Sequence, residues 1–422
     1  MQISKRAAET LAIQSPMMEA FLETLGKLHD PELNPTGALN LGVAHNDLLQ
    51  QKIFERAQEC LQVTPEDINY GAAEGSPRLR QLWRDFFTRH FNPYYPISWQ
   101  DISVQTGAGA SVNQLFMVIT DPGDYCLVPT PYYGAFDYDV KVNTGVKIFP
   151  AHLHRDLNSM TVDPDQLESH YQRAESEGKK ITSMIVTNPE NPLGRCYSVE
   201  DIKVFLDFAS RHQIHMLFDE IYALSTYSQL LDEKKEDPFV SVLSLPYKDF
   251  IDPALVHVVY GLSKDFAING FRVGFIIDQF NAPLKAALGR SAAFSYTSTI
   301  TDRLLFNLFS DEKWIDEYLL ENRQALAESY KRTTQFLKTH DVDYIEAEAG
   351  PFMLLDIRKY TEPTFEADKL LWHRLLKSGV YFAQGAGFHM PEPGYLRLTF
   401  ALPWSMLEIG LNRFIKELKK DI

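Results

Sequence analysis

Cysteine is scarce in this chain. Its 422 residues hold three, Cys60, Cys126 and Cys196. The number is odd and no CxxC or metal-ligand spacing occurs, which excludes a disulfide framework and a cysteine-built metal centre. The thiols read as small buried hydrophobes in a reducing compartment. No apolar run approaches the ~18 residues that a membrane span requires. The opening stretch "MQISKRAAETLAIQSPMMEAFLE" has a basic start but no uninterrupted apolar core followed by a small-residue cleavage site; no signal peptide is read there, and a cytoplasmic location is expected. Positive charge is also in short supply: 41 Lys and Arg against 56 Asp and Glu leave a net charge of −15. That balance argues against nucleic acid or an anionic membrane as partner and leaves room only for a local basic pocket. Internal repeats and low-complexity segments are lacking too, and the charged "DEKKED" of 232–237 reads as a solvated surface loop.

What is present is an ordinary globular composition, 45% hydrophobic and 23% charged, on a chain too long for one core. Turn formers such as "HDPELNPTGALNLG" mark residues 1–50 as an irregular N-terminal arm. From about residue 101, short apolar runs ("DISVQTG", "DYCLVPT", "VKIFPAHL", "ITSMIVTNP", "IHMLFDEIY", "ALVHVVYGLS", "VGFIID") alternate with helical stretches such as "VEDIKVFLDFASRH". This pattern predicts an α/β domain with a mainly parallel sheet between helices over 51–295. A long helical pattern at 311–340, two strand-like runs ("GPFMLLDIR", "YLRLTFALP") and a final helix predict a smaller α+β domain over 296–422, to which the arm contributes.

Ligands of such sheets sit at the carboxyl ends of the strands, and the unusual residues of this chain fall there. "TGAGASVNQLF" is a glycine-rich turn opening a helix, a backbone N–H site for an anion. "TPYYGAFDYD" offers aromatic faces, and the two Asn-Pro pairs of "TNPENPLGR" hold an amide at the sheet edge. Asp219 and Lys264 each follow an apolar strand, where a buried charge is costly unless a counter-charge meets it. A planar, phosphorylated, cationic heterocycle bearing an aldehyde, pyridoxal phosphate, would satisfy all of them.

The stretches "NYGAAEGSPRLR", "PTPYYGAFDYD", "TNPENPLGR", "DEIYA", "GLSKDFAINGFRVG" and "PGYLRLTFA", in that order over residues 69–401, resemble the fold-type I pyridoxal-phosphate enzymes of the class I/II aminotransferase superfamily. The nearest likeness is to the 1-aminocyclopropane-1-carboxylate (ACC) synthase-like branch. The resemblance implies that Lys264 carries the cofactor as a Schiff base and then moves the substrate's α-proton, and that Asp219 pairs with the pyridine nitrogen. It gives Tyr222 and Asn191 to the ring oxygen, Tyr133 rather than Tyr132 to ring stacking, and Gly109, Ala110, Ser263 and Arg272 to the phosphate. Arg397 would grip the substrate α-carboxylate, with Ala44, His45 and Asn191 near the substrate. Tyr70 would cross to a partner's phosphate, which implies a homodimer with its active site at the interface. No metal is implied.

Two departures thin the phosphate site. Gly261 stands where relatives carry a hydroxyl, and Ala110 where ACC synthases carry threonine; Ser111, Arg272 and backbone N–H groups are left to compensate, each lost bond being worth about 0.5–1.5 kcal/mol. A third concerns the reaction: "LGVAHNDLL" has His45 where ACC synthases read close to "GLAENQL", with a glutamate near the substrate. Loss of that acid argues against ACC formation, unless His45 merely packs or caps a turn. The expected activity is therefore transamination between an α-amino acid and a 2-oxo acid. The alternative is a β- or γ-elimination or replacement, possibly on S-adenosylmethionine. A non-catalytic binding protein is disfavoured because Lys264, Asp219 and Arg397 are all present.

Overall fold

The computed structural model describes all residues except 1, 14, 31, 154–156, 158, 159, 233–236, 421 and 422. Most of the charged 232–237 stretch therefore lies outside the described residues. In chain order the strands are β1 (Leu39–Asn40), β2 (Ile102–Gln105), β3 (Tyr125–Thr130), β4 (Lys147–His152), β5 (Ile181–Thr187), β6 (His215–Asp219) and β7 (Val256–Gly261). They continue with β8 (Gly274–Ile277), β9 (Asp343–Tyr344), β10 (Phe352–Asp356), β11 (Val380–Tyr381), β12 (Ala383–Gln384) and β13 (Tyr395–Thr399). The helices that position the site are α1 (Ala108–Ile119), α2 (Phe136–Asp139), α3 (Val199–His212), α4 (Leu262–Asp265) and α5 (Glu312–Thr339).

Seven strands form the main sheet in the order β2-β8-β7-β6-β5-β3-β4. The pairs from β4 through β7 are parallel, whereas β8 runs antiparallel to both β2 and β7. The expected mainly parallel α/β sheet is thus present, with one reversed strand. Its strands are continuous apolar runs because both faces are covered: alternate residues feed different cores. Val258, Tyr260, Met216 and Phe218 point into one cluster with Trp83 and Phe205, while Val259, Leu217 and Ile276 pack on the other face against Val112, Leu115 and Phe116 of α1.

α3 shows why the helices start and stop where they do. Ser198 caps its first turn, Asp201 completes a reciprocal capping box, Arg211 and His212 occupy the last turn, and Gln213 leaves in the left-handed region. Its apolar stripe, Ile202, Phe205, Leu206 and Ala209, is fully buried. α5 carries the chain between cores. Ile315, Tyr318 and Leu319 belong to the large cluster, and Leu326, Tyr330 and Leu337 to a second one with Leu355, Leu398, Leu411 and Phe414. That second core lies against the sheet β12-β13-β10-β9, and β1 from the N-terminal region pairs in parallel with β11 beside it.

Candidate active site

The carboxyl ends of β5 and β6 are level, Thr187 pairing with Asp219, and β7 continues from Val259, the partner of Asp219, to Gly261. The loops and short helices leaving them converge with α1 and α2 on a cavity of about 230 Å³ bordered by Gly109, Tyr133, Asn191, Asp219, Tyr222, Ser263, Lys264 and Arg272. Eight residues singled out in the sequence therefore share one wall.

Asp219 ends β6 at 5% exposure, and its Oδ1 is buried without a hydrogen-bond partner among the described residues. Burial drives its pKa up to about 7, against a hydrogen bond from the Ile221 backbone. Lys264, in α4 directly after β7, donates from Nζ to the Ala44 carbonyl at 2.6 Å. Burial, helped by the charge on Arg397 and opposed by Asp219, lowers its pKa to about 8, so an appreciable share of the amine is unprotonated near neutrality. Burial raises the phenol pKa values of Tyr222 and Tyr133, which keeps both as neutral donors.

Arg397, on β13, is 3% exposed. Its Nη1 donates to Asn191 Oδ1 at 2.8 Å and its Nη2 to the Gly42 carbonyl, and the guanidinium lies between the Phe352 and Phe388 rings at 4.8 and 4.6 Å. Two aromatic faces hold the fork flat, the geometry suited to a carboxylate. Residues 42–47 strap this group together: beyond Gly42 and Ala44, the Val43 carbonyl accepts from Thr399 Oγ1 (3.0 Å) and Asn46 donates to Asn322 (2.7 Å).

At the anion end, Gly107 has φ +101°, and a Cβ there would stand 2.3 Å from Arg272 Nη2. Only glycine allows the guanidinium to lie over the start of α1. Arg272 donates to the Asn269 carbonyl (2.9 Å) and otherwise faces the cavity.

Several expected residues lie elsewhere. Ser111 does not serve the cavity: its hydroxyl is fully buried and donates back to the Gly107 carbonyl (3.2 Å). Tyr132, passed over in favour of Tyr133 for ring stacking, does turn away, donating to Asp137 (3.3 Å) and stacking on His389. Ala110 sits in the first turn of α1 without bordering the cavity. His45 hydrogen-bonds through Nδ1 to the Val43 carbonyl (2.8 Å), its Nε2 is 3.3 Å from Asp47, and it does not border the cavity. Tyr70 is 96% exposed on the surface. Conversely, Asp139, Asn269 and Thr187 border the cavity and were not singled out. Asp139 had a sequence signal in hindsight, the acid that ends "TPYYGAFDYD".

The model of the family described as aminotransferase class I and II matches residues 36–414. The chain belongs to that family. Class I and II aminotransferases are pyridoxal-phosphate-dependent and have the fold-type I architecture described above. The chain is 32% identical over 397 residues to the human protein named probable inactive 1-aminocyclopropane-1-carboxylate synthase-like protein 2, covering 92% of this chain and 68% of that one. To 1-aminocyclopropane-1-carboxylate synthase 2 of Cucurbita pepo it is 30% identical over 407 residues, 92% of this chain and 81% of that one. Among solved structures, a single mutant of Thermus thermophilus aspartate aminotransferase superposes with TM-score 0.77 at 20% identity, covering 99% and 100% of the two chains. The aromatic aminotransferase of Pyrococcus horikoshii gives 0.76 at 20% identity over 95% and 99%.

The residues fit the family's cofactor. An orphaned buried carboxylate oxygen at Asp219 suits a protonated ring nitrogen, a glycine cradle under Arg272 suits a phosphate, and the amine of Lys264 borders the same cavity. Among the described residues no cluster of His, Cys, Asp and Glu could hold a metal ion, and no helix is long and apolar enough to cross a membrane.

Proposed function

We propose that the chain is a pyridoxal-phosphate-dependent aminotransferase that exchanges nitrogen between an α-amino acid and a 2-oxo acid. The observation that carries this reading is the shared cavity of Lys264, with its lowered pKa, and Asp219, with its orphaned oxygen. Pyridoxal phosphate would supply an electron sink for the carbanion formed at the substrate's α-carbon. Asp219 would pair with its ring nitrogen, Tyr133 would cover its face, Tyr222 and Asn191 would bond its ring oxygen, and Gly109, Ser263 and Arg272 would hold its phosphate. Arg397 would orient the α-carboxylate, and the neutral amine of Lys264 would take the α-proton and return it.

The expected division is an arm (1–50), a large domain (51–295) and a small domain (296–422); the two cores joined by α5 support a large and a small domain, and Leu304, Leu308, Ile315 and Tyr318 in the large core move their boundary from 295/296 into α5. The free buried thiols of Cys60, Cys126 and Cys196 suit the reducing cytosol, and the fully exposed Tyr70, which the family likeness sends to a partner's phosphate, suits a homodimer. A second reading, elimination or replacement on S-adenosylmethionine, is favoured by the 30% identity to an ACC synthase. His45 caps its own turn through Val43 and Asp47 and does not border the cavity, so the histidine at that position leaves the two readings to be separated by their products.

The purified protein, loaded with pyridoxal phosphate and reduced with borohydride, should yield a Lys264 peptide carrying the cofactor in a mass spectrum. Amino acids should change its absorbance and release a 2-oxo acid, and 2-oxoglutarate or pyruvate should restore the spectrum. Release of methylthioadenosine from S-adenosylmethionine would support the second reading, and failure to fix the cofactor on Lys264 would overturn both.

A further inference from the structure

Asp139 is an acid in a place meant for an anion. It ends α2, and its carboxyl rests against the first turn of α1: a Cβ on Gly109 would meet its Oδ1 at 3.0 Å and its Oδ2 at 3.2 Å. It borders the same cavity as Arg272, yet among the described residues no ion pair closes between them. The other ionisable groups facing it are Asp219 at the end of β6 and Tyr133 in the loop after β3, while α1 presents none there. Its neighbours along the chain do not neutralise it, since Lys141, just past α2, pairs with Asp137 (3.4 Å). One cation, Arg272, thus serves a pocket wall that already contains a carboxyl before any phosphate arrives.

A phosphate monoester loses its second proton near pH ~6 and is a dianion above neutrality. Two anions forced into one site cannot both stay ionised, so one keeps a proton. Burial, opposed by Arg272, already pushes the Asp139 carboxyl up to about 7, and a dianion beside it pushes further in the same direction. We propose that Asp139 makes phosphate binding proton-linked: its carboxyl takes one proton from solvent when the cofactor's phosphate settles between Arg272 and the first turn of α1. It then donates a hydrogen bond to the phosphate in place of the hydroxyls missing at positions 110 and 261. Cofactor retention consequently falls as pH rises. This rests on the cofactor reading above.

Pyridoxine 5′-phosphate is the appropriate probe, because its alcohol forms no Schiff base with Lys264; the lysine amine still titrates near pH 8, so the uptake assigned to Asp139 is the wild-type value less that of Asp139→Asn. Calorimetric titration of the cofactor-free protein in two buffers of different ionisation enthalpy should show uptake of close to one proton at about pH 8.5, and affinity falling up to about tenfold per pH unit above the free carboxyl's titration. Asp139→Asn should bind with little pH dependence and more tightly than wild type at the upper end, whereas Asp219→Asn should keep the wild-type slope. Zero proton uptake by the wild-type protein overturns the proposal without need of a variant. So does an Asp139→Asn protein that keeps the slope, or an Asp219→Asn protein that loses it. If the cofactor is fixed on Lys264 by borohydride but no proton is taken up, only this inference fails; if nothing is fixed, the cofactor reading itself fails.

Discussion

Asp219 and Lys264 are unlike charges that burial has moved toward each other in pKa, to about 7 and about 8, so neither is firmly ionised at neutrality without a partner. Asp219→Ala removes the counter-charge for the ring nitrogen. Losing one member of a buried pair costs about 3–5 kcal/mol, and a comparable loss at the transition state lowers kcat roughly 10²–10³-fold or more. Steady-state kinetics at saturating cofactor should show that fall with a smaller change in KM. A second consequence concerns stability. Asp139, Asp219, Glu190 and Glu220 all have pKa values raised to about 7 or 8, in each case chiefly by burial. The folded state therefore binds protons at pH values where the unfolded chain has released them, and stability falls as pH rises through the folded pKa values. His90 and His215, lowered to about 4 by burial, act in the opposite sense, but only below the ordinary histidine pKa of ~6.5. Lys264, lowered to about 8, also acts in the opposite sense as pH nears 8, but it is one group against four, so between about pH 6.5 and 8 the carboxyls decide and the cofactor-free protein should show a denaturation midpoint that declines across that interval. A flat or rising midpoint would mean that these carboxyls are ionised in the folded protein.

At the scale of elements, the strands were legible because burial on both faces leaves continuous apolar runs; β3, β5, β6 and β7 lie inside the runs read from the sequence, and α3 has the bounds of its periodic stretch. The long helical pattern at 311–340 is α5, Glu312–Thr339. What could not be read was geometry carried by backbone. The reversal of β8 leaves no mark on side-chain pattern. The strap of residues 42–47 holds Lys264 and Arg397 largely through carbonyl groups, which every residue possesses, so only His45 drew notice there. Asp139 was missed because α2 has four residues, too few to show a period. The glycine turn before α1 was legible as an anion site, but not the reason for its glycine: Gly107 combines φ +101° with the approach of Arg272. Gly107→Ala should therefore strain the turn and displace the guanidinium, weakening pyridoxal phosphate binding by an order of magnitude or more while the sheet remains folded. Equilibrium dialysis alongside circular dichroism would check this; unchanged affinity would detach Arg272 from the phosphate.

At the scale of the molecule, one side of the chain is conspicuously apolar. Tyr70, Phe294 and Ile68 are 96%, 91% and 81% exposed, and the Thr299 hydroxyl donates to the Asp67 carbonyl, which draws the 67–71 and 294–300 segments together. Large exposed aromatics grouped in this way mark a surface that another protein covers. If that protein is a second copy, two-fold symmetry delivers each Tyr70 to the other chain's cavity, and the requirement for Tyr70 and Lys264 can be separated between chains. Tyr70→Ala and Lys264→Ala proteins should each be nearly inactive at limiting cofactor. Unfolded together and refolded at equal amounts, they should form heterodimers as about half of the population. In each heterodimer one site has both substitutions and the other has neither, so about a quarter of all sites recover native composition. Activity should rise to that fraction of wild type, well above the mean of the two parents. If Tyr70 acted within its own chain, every site in the mixture would lack one residue or the other, and mixing would restore nothing.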